Sequence, residues 1–130
     1  MIGMKAKTTF NRHKLMAKAR QGNITSLQHA AGAIRLTARR SILNRKHPAR
    51  PGQPPHTQTR RLKDAILYDV DKTRQLAIIG PSRDIIGPAG RVHEFGGRHY
   101  GGLYPPRPYM WPALEKLKDR LAMFWADSIH

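Results

Sequence analysis

The chain contains no cysteine, and it has no acidic residue before Asp64. The first absence removes disulfide frameworks, thiolate metal sites and thiol nucleophiles. The second leaves fifteen Lys and Arg unopposed in the first half, whereas from Asp64 onward nine basic residues face eight acids. Nearly all of the formal charge of +16 therefore sits on one half of the chain. Such a block repels itself and favours a polyanionic neighbour, either nucleic acid or an acidic protein surface. Long apolar runs are missing too. No stretch approaches the ~18 apolar residues of a membrane span, and Met1 to Lys5 does not begin a secretory signal. A soluble protein made in a cytoplasm, with no membrane partner, is expected.

What is present divides into a basic arm, residues 1–22, and one α+β domain, residues 23–130. In the arm, Lys5, Lys7, Arg12, Lys14, Lys18 and Arg20 are candidate polyanion contacts, and a short helix around Arg12 to Arg20 would end at Gly22. Asn23 or Thr25 can then cap a long helix to about Leu43, because Leu27, Ala31, Ile34, Ala38 and Ile42 recur at helical spacing. Pro48, Pro51, Pro54 and Pro55 forbid a regular ladder between Asn44 and Gln58, so an extended contact loop is expected there. Ala65–Val70 and Leu76–Ile79 read as a hairpin, with a third strand over Arg91–Phe95. Pro112 suits the first turn of a last helix, whose apolar stripe is Leu114, Leu117, Leu121 and Phe124 or Trp125. The expected fold is a long N-terminal helix and a C-terminal helix packed on a small antiparallel sheet, with long Pro/Gly-rich loops.

Chemistry is not indicated. His93, Glu94 and His99 are near in sequence, but the histidines are six apart across two glycines, unlike the four-residue spacing of a helical metal pair. No phosphate-cradling Gly-rich loop with its Lys and Ser/Thr is present, and no cofactor, metal or catalytic residue is expected. Glu94 has two readings: a partner for Arg91, Arg98 or Arg107, or a surface acid on an edge strand. Tyr100, Tyr104, Tyr109 and Trp111 are bracketed by Pro and Gly, which suits subunit packing better than base stacking. Arg50, His56, Glu94, Phe95, Arg107, Tyr109 and Trp111 are accordingly the candidate interface residues.

Three segments occur in a telling order: Pro51 to Thr59 followed by Leu62, then Val92-His93-Glu94-Phe95-Gly96-Gly97, then Pro106 to Leu114. In order and spacing they resemble the neck and tail-completion family of tailed bacteriophages, over roughly Leu27 to Leu121. Two departures stand out. Tyr109 replaces the usual Phe, and Arg60 stands where the family's Thr-Gly would place glycine, so a different local turn is expected. The resemblance implies a subunit without catalytic activity that forms a ring at the head–tail junction of a virion, by rotationally closed head-to-tail contacts. A hexamer is favoured and a dodecamer is the alternative. The implied partners are further copies of itself, connector and tail-tube or tail-terminator proteins, and packaged DNA. Tail completion, tail termination and connector closure stay open, and a basic nucleic-acid-binding module is the competing class.

Overall fold

A computed structural model describes the backbone of residues 2–126 and the side chains of residues 16–126. The chain is α+β, with a long first helix, a helix near the C-terminus and small antiparallel sheets.

Helix α1 runs unbroken from Ile2 to Ser41, about 60 Å at ~1.5 Å per residue. Gly22 does not end it, and Asn23 and Thr25 are not caps, since both lie in its interior. A lone glycine costs a helix only about 1 kcal/mol, which the packing that begins at Ile24 offsets. The buried stripe of α1 includes Ile24, Ala31, Ile34 and Ala38, and Ile42 continues it just past the helix end. Asn23 instead reaches across the fold, donating to Gln75 Oε1 and accepting from Trp125 Nε1.

The β structure is three separate two-stranded ribbons. Strands β1 (Leu43–Asn44) and β2 (His56–Thr57) pair in parallel, so the ends of the proline-rich loop do meet in a short ladder. The expected hairpin is present as β3 (Ile66–Asp71) and β4 (Leu76–Pro81), turning through Lys72–Gln75. Helix α2 (Arg61–Ala65) precedes it, and α3 (Arg83–Ile86) follows.

The third expected strand is a helix, α4 (Ala89–Phe95), preceded by Pro88. Val92 and Phe95, three apart, suit a helix as well as a strand, and proline just before a helix costs no hydrogen bond. Ribbon β5 (Gly97–His99) with β6 (Gly102–Tyr104) follows, then α5 (Met110–Leu121) and α6 (Met123–Ala126).

The core lies where α1, α2, β3 and α5 meet, and consists of Ile34, Ala38, Ile42, Leu62, Ile66, Tyr109 and Ala113. Leu114, Leu117 and Leu121 pack against it from α5. Polar ties run from α1 to the hairpin and to α2: Arg35 Nε donates to the Ile66 carbonyl at 2.7 Å, and Arg39 pairs with Asp64 at 3.3 Å.

Arg60 adopts φ 65°, the left-handed region that glycine occupies without strain. Arginine at this position therefore strains the turn but does not abolish it. Thr57 Oγ1 helps to hold it by accepting the Arg60 amide at 3.0 Å. Arg60→Gly is expected to stabilise the protein by up to about 1 kcal/mol, as relief of backbone strain slightly exceeds the added entropy of the unfolded chain. Urea unfolding measures this, and a destabilised variant would contradict the strain argument.

Candidate functional site

Helix α5 begins Pro108-Tyr109-Met110-Trp111-Pro112, with no Ser, Thr, Asp or Asn at its N-cap. Its free amides are satisfied from a distant part of the chain. The Glu94 carboxylate accepts the Tyr109, Met110 and Trp111 amides at 2.8, 2.9 and 2.9 Å. The next residue is Pro112, which has no amide to satisfy, so the first turn is left without an orphan donor. A negative side chain there also opposes the positive end of the helix dipole. Neither reading of Glu94 holds: among the described residues it has no ion pair with arginine, and it is no surface acid on a strand.

The chain geometry that permits this cap is specific. Gly96 ends α4 at φ +74°, and a Cβ there would lie 2.9 Å from the Pro106 nitrogen and the Tyr104 carbonyl. Only glycine lets the two segments approach so closely. The Arg107 amide donates to the His93 carbonyl at 2.6 Å, Arg107 Nε donates to the Ala49 carbonyl at 2.7 Å, and the Gly52 amide donates to the Pro106 carbonyl at 2.9 Å. The proline-rich loop, the end of α4 and the start of α5 thus form one hydrogen-bonded unit.

Tyr109 is wholly buried, and its hydroxyl donates to the Gly90 carbonyl at 2.9 Å. Burial and the nearby Glu94 carboxylate raise its pKa. It belongs to the core, which corrects its place among the interface candidates. Gly90 leaves room for it, since a Cβ there would meet Pro81 at 2.6 Å and the Tyr109 hydroxyl at 3.0 Å.

Phe95 and Trp111, by contrast, are 72% and 61% exposed and line one apolar cleft of about 460 Å³, together with Ile34, Ile79, Met110 and Leu114. Comparison with protein-family models, curated proteins and solved structures finds no match to this chain.

Other candidates fall elsewhere. Arg50 is exposed on the proline-rich loop, and Arg107 is half-buried beneath it. His56 Nδ1 donates to the His47 carbonyl at 2.9 Å. Lys18 and Arg20 are exposed on α1, whereas the side chains of Lys5, Lys7, Arg12 and Lys14 lie outside those described. His93 and Glu94, adjacent in sequence, line different depressions because successive helical residues are turned by ~100°. Among the described residues no cluster of three or more His, Asp or Glu could hold a metal, and no helix is long and apolar enough to cross a membrane. Sequence reasoning missed the role of Glu94. The available signal was a final helix starting between prolines with no capping residue of its own.

Two expectations follow. Glu94→Ala should destabilise by about 2–3 kcal/mol and Glu94→Gln, which keeps one acceptor oxygen, by roughly half as much; equal urea midpoints in all three proteins would refute the cap. His93 has its pKa lowered from 6.5 by burial, then by Arg107 and His99. As pH falls below 6.5 the unfolded chain takes up this proton before the folded one, so stability declines until the lowered native pKa is passed. In His93→Gln that part of the slope should vanish, as measured by unfolding midpoints across the acid range.

Proposed function

We propose that this chain is a structural subunit of the head–tail junction of a tailed bacteriophage, assembling with copies of itself into a ring around the DNA conduit. The observation that carries the assembly is the cleft bordered by Phe95 and Trp111. Two large aromatics held mostly in solvent by a rigid capped turn are suited to anchor a neighbour, since such side chains supply much of the binding energy at interfaces. A ring places the same patch of each subunit against a different patch of the next.

Two further features favour assembly. The three segments that carry the family resemblance are the ones joined through Gly52, Pro106, His93, Arg107 and Glu94. In addition, large apolar side chains beyond this pair stand in solvent. Leu67, Ile78 and Leu103 add exposed apolar surface on the β3–β4 and β5–β6 ribbons. The core is small and rich in alanine, so burying more surface between subunits would add stability that the isolated chain lacks.

Native mass measurement and electron microscopy of the full-length protein, alone and in purified particles, test this reading. Closed rings or incorporation into virions are expected; a chain that stays monomeric at every concentration and is absent from particles would remove it. The double variant Phe95→Ala/Trp111→Ala should keep its unfolding free energy within about 1 kcal/mol, because both side chains are mostly exposed, and should lose the assembled species. Rings of unchanged stability in that variant would place the interface elsewhere.

A further inference from the structure

A second surface lies on the other side of α4 from the apolar cleft. Two adjoining depressions, of about 550 and 210 Å³, share His56, Gln58 and His93 and together form one groove. Four fixed cations line it: Arg45 and Lys46 from the loop after β1, Arg61 from the start of α2, and Arg107 from the segment before α5. The imidazoles of His47, His56, His93 and His99 stand among them, and no Asp or Glu lines either part.

None of these cations has a carboxylate partner among the described residues. Arg107 uses Nε on Ala49, Arg61 uses one Nη on Ile85, and Arg45 uses one Nη on Asn44, all backbone carbonyls that orient the guanidinium without neutralising it. His56 likewise has Nδ1 committed to a carbonyl, which leaves Nε2 as its other polar atom. His93 has its proton affinity lowered first by burial and then by the neighbouring Arg107 and His99.

We propose that this groove binds the phosphodiester backbone of a single-stranded nucleic acid, with Tyr100 at its rim stacking on a base. A run of separated cations suits a chain of repeated charges better than one enclosed anion. Tyr100 is 93% exposed and lines the groove beside His99, whose ring is tilted by 52° at a centroid distance of 4.3 Å, so the tyrosine ring is available to a base. An acidic polypeptide would match the charge but give the tyrosine no partner. The site draws on both halves of the chain and does not depend on ring formation.

The test uses the full-length protein and an oligothymidylate of about eight nucleotides, a length within the usual footprint of such sites. The imidazole resonances of His56, His93 and His99 should shift on titration, which separates the groove from the basic stretch of α1. Arg45→Gln with Lys46→Gln, both exposed, should weaken binding tenfold or more and reduce the salt slope by about 1.4, two contacts at ~0.7 each. Tyr100→Ala should weaken the single strand fivefold or more while leaving a duplex of equal length unaffected. Unmoved histidine resonances would overturn the proposal, as would equal affinity for inorganic phosphate or polyglutamate. Indifference of single-strand binding to Tyr100→Ala would do the same.

Discussion

The Glu94 carboxylate fixes where α5 begins, and the two surfaces flanking α4 are arranged around that contact. A helix that starts between prolines has no local means of satisfying its first amides, and leaving them bare at a buried end is costly. One acidic side chain from α4 meets all three. It can do so because Gly96 lets the chain after α4 pass against Pro106. With that start fixed, Tyr109 projects into the core while its neighbour Trp111 is left in solvent.

The cap also divides two surfaces of unlike chemistry. On one side of α4 is the apolar cleft with Phe95 and Trp111, and on the other is the groove of arginines and histidines. Helical rotation alone places neighbouring residues His93 and Glu94 on these opposite sides. The proline-rich loop contributes to the second surface by being tied to Pro106 and Arg107, so a segment without extended pairing still has a defined position.

The β structure leaves several large apolar side chains in solvent. Three two-stranded ribbons leave more strand edges and faces open than a single sheet of the same strands, and two-stranded units depend on packing for stability. Here the packing comes from α1, whose stripe from Ile24 to Ala38 supports the β3–β4 hairpin and α5. The long first helix is thus the scaffold of the domain.

Much of this was decided locally and could be read from residue order. The stripe of α1 from Ala31 to Ala38, the hairpin around Lys72–Gln75 and the apolar face of α5 each depend on periodicities of a few residues. The charge division at Asp64 is likewise a property of composition. Gly22 was misread as a stop because a helix boundary depends on whether packing offsets the cost of glycine, and Arg91–Phe95 was misread as a strand because a short apolar pattern fits either period. The roles of Glu94 and Tyr109, and the union of Arg45, Arg61 and Arg107 in one groove, could only come from the tertiary structure. They depend on contacts between residues 15 to 58 positions apart, set by chain closure at Gly96 and the proline-rich loop, and no local pattern encodes which distant group will satisfy a given amide.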